Sequence, residues 1–388
     1  MRDYVDVLRH TGFRRLWLGA TVSATGDGMT FVALSWLVLA QPGGAGRLGL
    51  LGVCHTAPVF VGGLLVGPLL DRFDKRAVFV VDSLVQAAVV AAIPLTATLG
   101  GTPGWLPFVV AACHGLCKMV PLAGFPAAVP QLVPDADLEP ANALESMSFS
   151  IAFVVGPALA GLLVAQVGAA AVLVVDSASF LAFALAAALV RDPLTPAGRT
   201  ASRPSLTGLR RDRVIVTTTV AFMAFNVAEG MLLVAAPWLA KNHLPGGAAA
   251  LGLLLSAMAA GELAGAALAG RRRGALVRSI GVVQALAAAC FLALLAAPSR
   301  PAVAAGFFGI GLLSAPMTVW AQSLRMRRVP AELHGRAFSA LRTLMQGTPP
   351  LGTLLVTPML VGNQLAVAAV VMALVAGLPA LLLFAVRL

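Results

Sequence analysis

The chain has 388 residues, of which 59% are hydrophobic and only 11% are charged. Soluble domains carry about 25% charged residues, so this composition excludes an ordinary soluble globular protein. The net charge of +11 would suit a nucleic-acid binder, but the cations lie in short segments between apolar runs. We therefore expect a lipid bilayer, and no nucleic acid, as the surroundings of the chain.

Apolar runs of span length follow one another along the whole sequence. In a bilayer only helices or closed barrels satisfy every backbone polar group, and runs of about 20 apolar residues match helices. We predict about twelve transmembrane helices, at 14–40, 46–70, 77–99, 104–132, 141–165, 168–190, 213–240, 248–270, 275–297, 302–324, 337–361 and 364–386.

One connection is longer than the others and is rich in Arg, Pro, Ser and Thr. It covers 191–212 and divides the predicted helices into six and six. The predicted fold is an all-α polytopic membrane protein with an N-terminal six-helix bundle at 1–190, a cytoplasmic linker at 191–212 and a C-terminal six-helix bundle at 213–388.

The distribution of Lys and Arg predicts the orientation, because cytoplasmic loops carry an excess of these residues. With the N-terminus inside, the outer segments hold only Arg47, Lys241 and Arg300 of the 27 basic residues, and Lys118 lies within a span. Both termini are thus expected in the cytoplasm. The Arg, Ala and Gly bias indicates a bacterium, and so a bacterial cytoplasmic membrane.

The two halves repeat each other. Asp27-Gly28-Met29 in the first predicted span recurs as Glu229-Gly230-Met231 in the seventh, and the matches continue into the next span at nearly the same offset. The matched spans run in the same direction, which predicts parallel repeats related by an axis along the membrane normal. A binding cavity is expected near the bilayer midplane, where the repeats meet.

The loop after the second span reads Gly67-Pro-Leu-Leu-Asp71-Arg72-Phe-Asp74-Lys75-Arg76. It resembles the signature loop of the major facilitator superfamily. The resemblance implies that Gly67 lets two helices approach and that Asp71, Arg72, Lys75 and Arg76 form a network that latches one transport state. Asp74 stands where the family usually has Gly and adds a charge. Anchoring by positive charge alone is the alternative, but it does not explain Asp71.

Ser148, Ala152, Gly156 and Ala160 form a small-residue stripe at spacing four on the fifth span. The same span carries the element Ala152-x-x-x-Gly156-Pro157-x-x-Ala160-Gly161. It resembles an element of exporters and antiporters in the same superfamily. Small residues let helices pack closely and Pro157 removes one backbone donor, so close packing and a functional hinge are both open. Gly26-Asp27-Gly28, with Ala141-Asn142 further on, is similar to the drug and siderophore exporter branch.

Charged groups inside the spans point to the mechanism, because a charge at a helix centre costs about 2.5–3.5 kcal/mol. Asp27, Glu229 and Lys118 lie near the middle of spans one, seven and four, with His114 one turn from Lys118. The resemblance implies that these spans line the cavity. We expect Asp27 or Glu229 to carry a proton and Lys118 to bias its affinity.

Each of these residues has a second interpretation. Asp27 would also serve as a structural strut, Lys118 as a contact for anionic cargo and His114 as an interhelical hydrogen-bonding group. Asp82 is expected to pair with the basic loops, and Asp176 and Glu262 have no assigned role.

Span ten, the other cavity helix that the resemblance implies, offers Trp320 and Gln322 as possible substrate contacts. The four cysteines show no paired spacing, so no metal site is expected. No phosphate-binding Gly-rich loop is present, so no cofactor is expected and the proton gradient is the predicted energy source. A monomer is expected.

The sequence therefore predicts a secondary transporter that exports small amphipathic molecules, such as a drug, antibiotic, siderophore or metabolite, by proton antiport with alternating access. An importer or an uncoupled facilitator is the nearest alternative. A transporter-like sensor or scaffold that moves nothing is another. An enzyme is not expected, because Cys113, His114 and Cys117 lack a third catalytic partner.

Overall fold

The computed structural model of the protein describes residues 2–195, 212–269, 277–329, 341 and 343–385. The described chain is built from helices α1 to α15 and has no strands there. Their bounds are α1 Arg2–Val7, α2 Thr11–Leu39, α3 Gly44–Arg72, α4 Lys75–Thr98, α5 Leu106–Cys117, α6 Met119–Ala128, α7 Leu138–Val167, α8 Ala169–Ala188, α9 Arg213–Asn242, α10 Gly247–Ala269, α11 Val277–Cys290, α12 Arg300–Arg328, α13 Pro349–Val361, α14 Leu365–Gly377 and α15 Ala380–Ala385.

Ten helical segments of the described chain are long and apolar enough to cross a membrane. They coincide with ten of the twelve predicted spans. The fifth predicted span coincides with α7, whose continuous apolar part is Val154–Val167. The eleventh begins at 337, outside the described residues, and its described part ends in α13. The prediction of an all-α polytopic membrane protein is confirmed.

The fourth span is interrupted in its middle. It consists of α5, α6 and a short 3-10 turn at Val129–Gln131, with Lys118 at the junction of the two α-helices. Pro121 lies three residues after Lys118 and has no N–H to donate to the preceding turn. The interruption thus places Lys118 where the regular helical ladder is broken.

The helices form two compact units. Met1–Val38 and Ala57–Thr200 make the first unit, and Leu39–Thr56 and Ala201–Leu388 make the second. The first part of α3 belongs to the second unit because Gly49 contacts Thr357 and Gly52 contacts Thr353 of α13. The division into domains at 191–212 stays a prediction.

Aromatic pairs fill the interior of each unit. In the first unit, Phe13 packs against Phe125 with ring centroids 6.1 Å apart, and Phe79 packs against Phe183 at 5.7 Å. In the second unit, Phe225 and Phe291 lie 5.9 Å apart in an edge-to-face arrangement. Edge-to-face rings stabilise a core beyond the area that they bury.

Candidate functional site

The position of Asp27 is set by a close crossing of α2 and α7. A Cβ atom on Gly156 would lie 2.6 Å from the carbonyl oxygen of Thr25 and 3.0 Å from Cα of Gly28. A Cβ atom on Gly28 would meet Pro157 at 3.1 Å. The exporter-like element therefore packs α7 against the turn of α2 that carries Asp27, and Gly161 is buried farther along α7.

Three carboxylates come together in the first unit. Asp27 and Asp82 line one small pocket together with Gln86 and Phe180. The charged groups whose field acts on Asp27 are Asp176, Lys118 and Asp82. Asp27 Oδ1 is buried and finds no hydrogen-bond partner in the part of the chain that the structure describes.

Asp176 is completely buried and is well supplied with hydrogen bonds. Thr30 donates to Oδ2 of Asp176, and Ser179 donates to Oδ1 over 3.0 Å. A Cβ atom on Gly26 would lie 2.1 Å from Oδ1 of Asp176. Glycine at position 26 is therefore what allows α2 to approach this carboxylate.

Asp82 lies inside the unit rather than beside the basic loops, so its predicted pairing with them is wrong. Its carboxylate accepts a hydrogen bond from Nε2 of Gln86 over 2.9 Å, and the Cys117 thiol also hydrogen-bonds it. Only 8% of Asp82 is exposed. Gln86 lies one helical turn after Asp82, a spacing at which side chains of a helix meet.

The other two predicted residues of this region lie on the interrupted fourth span. His114 is buried, and its ring packs edge-to-face against Phe180 at 6.3 Å. Lys118 follows one turn later, and its charge acts on both His114 and Asp27. The structure thus brings Asp27, Lys118 and His114 into one unit and adds Asp82 and Asp176 to them.

In the second unit, Glu229 occupies the equivalent place. It lies on α9 and is partly buried, and the charge of Glu262 on α10 acts on it. A Cβ atom on the adjacent Gly230 would lie 2.2 Å from the carbonyl oxygen of Pro349, and one on Gly352 would lie 1.9 Å from that of Val227. The crossing of α9 and α13 therefore repeats the crossing of α2 and α7.

The loop between α3 and α4 is anchored within its own unit. Lys75 Nζ donates to Gln131 over 3.3 Å and also to the Thr195 carbonyl, and Arg76 donates to the Asp192 carbonyl over 2.7 Å. These hydrogen bonds connect the first residues of α4 to the chain that follows α8.

Asp74 is the helix cap of α4. Its carboxylate accepts from the N–H groups of Arg76 and Ala77 over 2.8 and 3.3 Å. Its φ of −58° is available to any residue, so the turn does not need the usual Gly. The cap accounts for Asp at this position, because Asp is among the preferred N-cap residues.

The remaining predicted loop residues face outward. Gly67, Asp71 and Arg72 are exposed, and a Cβ atom on Gly67 would meet nothing within 4 Å. The latching network that the family resemblance implies for Asp71 stays a prediction.

On α12 the two predicted substrate contacts differ. Trp320 is 9% exposed and donates from its indole N–H to the Ala269 carbonyl over 3.3 Å, whereas Gln322 is exposed. Sequence reasoning did not single out Arg325, which is buried on the same helix. The Arg325 guanidinium lies 5.4 Å from the ring centroid of Phe222 and bonds Thr218 over 3.4 Å.

The sequence matches the family described as transmembrane secretion effector over residues 5–388. The chain belongs to this family of major facilitator superfamily transporters. It is 28% identical over 360 residues to the multidrug efflux pump Tap of Mycobacterium tuberculosis. The matched region covers 87% of this chain and 84% of the relative. It is 27% identical over 363 residues to the uncharacterized MFS-type transporter y4rN of Sinorhizobium fredii. This match covers 90% of this chain and 89% of the relative.

Solved structures show the same fold at low identity. A crystal structure of the peptide transporter POT superposes with a TM-score of 0.80 and 12% identity, covering 96% of this chain and 94% of that one. A crystal structure of a bacterial homologue of the human lysosomal transporter Spinster superposes with a TM-score of 0.74 and 12% identity. The match covers 96% of this chain and 95% of that one. The two-bundle transporter fold is thereby confirmed. The family match over residues 5–388 confirms the prediction that the protein is a transporter rather than an enzyme.

Proposed function

We propose that this transporter exports small amphipathic molecules across the bacterial membrane in exchange for protons, by alternating access. The observation that carries the proposal is the group of three carboxylates beside one lysine in the first unit. Relatives support the direction of transport, because one is named a multidrug efflux pump and another, Macrolide efflux protein A of Streptococcus pyogenes, is 24% identical over 181 residues.

Charge balance is the reason why this group suits antiport. Asp27, Asp82 and Asp176 together exceed the single positive charge of Lys118, and an isolated charge is costly in a low-dielectric interior. The excess is removed either by protons or by a cationic cargo. A site that holds one or the other, and not both, exchanges protons for cargo when it opens to each side in turn.

Asp27 is the residue that we assign to the proton. Asp176 and Asp82 have hydrogen-bond donors from neighbouring side chains, whereas Oδ1 of Asp27 is without one among the described residues. A proton or a cargo ammonium would supply the missing donor. Lys118 then biases Asp27 towards its ionised form, because an opposite charge favours ionisation.

Glu229 is proposed to support the same cycle from the second unit. It shares the repeat position of Asp27, but a second carboxylate, Glu262, acts on it instead of a lysine. Trp320 and Gln322 are proposed to contact cargo. The proton gradient is the only energy source in this proposal, with no bound cofactor, in a monomer whose termini both lie in the cytoplasm.

The test is a susceptibility and dye-efflux panel in an efflux-deficient bacterial strain. The strain expresses the wild type, Asp27→Asn or the surface control Asp6→Asn at matched membrane levels; Asp6 is about half exposed at 52%. We expect the wild type and the control to protect against some compounds and to extrude dye, and Asp27→Asn to do neither.

A double variant decides the coupling. Transport by Asp27→Asn with Glu229→Gln is measured in everted vesicles with and without an imposed pH gradient. The proposal predicts that the gradient no longer drives dye uptake into these vesicles. Full gradient dependence in the double variant would refute proton binding at these carboxylates, and equal protection by the wild type and Asp27→Asn would make Asp27 a structural strut.

A further inference from the structure

An open cavity of about 640 Å³ lies on the first unit and shares one lining residue, Asp82, with the small pocket that contains Asp27. It is bounded by the last part of α3, the first part of α4, and the junction of α5 with α6. Its walls are almost entirely apolar and include Leu65, Leu69, Phe73, Val81, Val85 and Val120. We call this cavity the α3–α4 groove.

The groove is open to the surroundings of the chain. Three of its lining residues lie on membrane-spanning or adjoining segments with more than half of their surface free, namely Leu65 at 57%, Phe73 at 53% and Val81 at 60%. Side chains of this kind on a transmembrane helix contact acyl chains. A molecule dissolved in the bilayer can therefore reach the groove from the side.

Two polar features interrupt the apolar lining. Asp82 and Cys117 form part of the wall, and Arg72 stands at the end of α3. The hydrogen bonds of Asp82 come from neutral groups, the Gln86 amide and the Cys117 thiol. A carboxylate in an apolar wall is best stabilised by a cation that brings its own charge-assisted hydrogen bond.

Asp82 also connects two cavities. It lines the α3–α4 groove and the small pocket of Asp27 and Gln86 as well. Asp82 therefore borders both the open groove and the small pocket inside the unit. A cationic ligand held on Asp82 would lie at the boundary between the groove and the pocket of Asp27, the residue to which we assign the proton.

We propose that the α3–α4 groove binds amphipathic amines taken from the membrane, with the apolar body among Leu65, Val81 and Val85 and the ammonium on Asp82. The volume lies within the range of about 300–1,000 Å³ that is usual for pockets of drug-sized ligands. This inference rests on the proposed export, since it names a class of cargo and its entry site, but the binding itself does not require transport.

A phospholipid is the competing occupant. Its phosphate would pair with Arg72, and its acyl chains would then lie against Asp82 without balancing the charge of its carboxylate. The amine balances this charge, so we favour the amine. The two occupants depend on different residues, which makes them separable.

The experiment uses photolabelling of the full-length protein in phosphatidylcholine nanodiscs. The probe is dodecylammonium with a diazirine in its chain, and the matched probes are the dodecyl alcohol and the dodecyl phosphate with the same diazirine. Labelled peptides are mapped by mass spectrometry, with excess unlabelled dodecylammonium as competitor. We expect saturable amine labelling of the segments around Leu65 and Leu116, and little labelling by the alcohol.

Asp82→Asn keeps the shape of the side chain and removes its charge. We expect it to weaken the apparent affinity for the amine probe by about tenfold or more, the loss that follows from removing a charged hydrogen-bond partner. Glu262→Gln neutralises a partly buried carboxyl group of the second unit and serves as the control with unchanged labelling. Equal amine labelling in wild type and Asp82→Asn would overturn the proposal, and so would labelling by the phosphate probe that is lost in Arg72→Gln.

A second pair of variants guards against misfolding. Val81→Trp fills the groove from an exposed position, and Val174→Trp adds the same bulk at a position of α8 that is 52% exposed and does not line the groove. Only Val81→Trp should abolish the amine labelling. Because the readout is binding, the two proposals can fail separately. Labelling without efflux would reject the proposed export and support amine binding in the groove. Efflux without labelling would reject only amine binding in the groove.

Discussion

The two units use the same kind of residue in different ways. Each places a carboxylate beside a glycine at a close helix crossing, Asp27 with Gly28 in the first unit and Glu229 with Gly230 in the second. Each also has a buried glutamine in its third predicted helix. Gln86 donates to the carboxylate of Asp82, whereas Gln284 donates to backbone carbonyls of Ala221 and Ala376 over 3.0 and 2.8 Å.

The two glutamines therefore differ in what they support: Gln86 contacts an ionisable side chain, whereas Gln284 joins helices. In the first unit, the glutamine hydrogen-bonds Asp82, one of the ionisable side chains around Asp27. In the second unit, the glutamine ties α11 to α9 and α14 through their backbones. The repeat therefore preserves the crossings that position the helices, while the first unit concentrates the groups that can exchange protons or cations.

The largest expected effect concerns the two repeat carboxylates themselves. Asp27→Asn should abolish transport driven by a pH gradient, because it removes the carboxylate to which we assign the proton. Glu229→Gln should reduce the rate and leave part of the gradient dependence. Transport in everted vesicles over a range of imposed gradients measures both. Identical losses in the two variants would mean that the units contribute equally, which would contradict the assignment of the proton to the first unit.

The next effect tests whether the two crossings are equally tight. Gly352→Leu should destabilise the protein more than Gly156→Leu, because an added Cβ meets a backbone oxygen at 1.9 Å in the first case and 2.6 Å in the second. Overpacking costs about 1–3 kcal/mol and more when backbone must move. Thermal unfolding in detergent measures the loss, with Gly67→Ala as a control in open space. A smaller loss for Gly352→Leu would contradict the geometry.

The two glutamines should separate stability from transport. Gln284→Leu should lower the thermal midpoint, because it removes two buried hydrogen bonds of about 0.5–1.5 kcal/mol each, and transport per folded molecule should remain. Gln86→Leu should mainly impair transport, because Asp82 loses a donor. Parallel measurements of unfolding and dye efflux decide this, and a stability loss confined to Gln86→Leu would reverse the assignment of roles.

The smallest effect lies outside the spans, at the start of α9. Asp212 caps this helix, with its Oδ1 2.8 Å from the Val214 N–H, and it pairs with Arg328 at 3.1 Å. Burial alone would raise the pKa of Asp212, but hydrogen bonds from the Ile215 and Val214 N–H groups and from Arg328 hold it below its usual value. The stabilisation is therefore complete at neutral pH and is lost as the pH falls through the lowered pKa.

Asp212→Ala should accordingly cost about 1 kcal/mol at neutral pH, the usual value of a helix cap. The difference in thermal midpoint from the wild type should shrink as the carboxyl group becomes protonated in acid. Asp212→Asn retains an acceptor for the cap and should lose less. A difference between wild type and Asp212→Ala that stays constant down to strongly acidic pH would show that the carboxylate charge contributes nothing.

Local patterns in the sequence are enough to predict the class of fold and the places of most helices. Span-length hydrophobicity is a local property fixed by bilayer thickness, so predictions such as 213–240 and 248–270 agree with α9 and α10. The repeat of Asp27 in Glu229 and the small residues of α7 were also visible in the sequence. The helix cap at Asp74 was not predicted, because the family pattern usually has Gly at this position.

Only the tertiary structure decided which helix faces meet. It joined Asp176 to Thr30 and Asp82 to Cys117, pairs whose members lie on different spans. In a soluble protein, the alternation of polar and apolar residues shows which face of a helix is buried. In a membrane, the faces towards lipid and towards neighbouring helices are both apolar, so the sequence does not tell them apart and packing alone brings the carboxylates together.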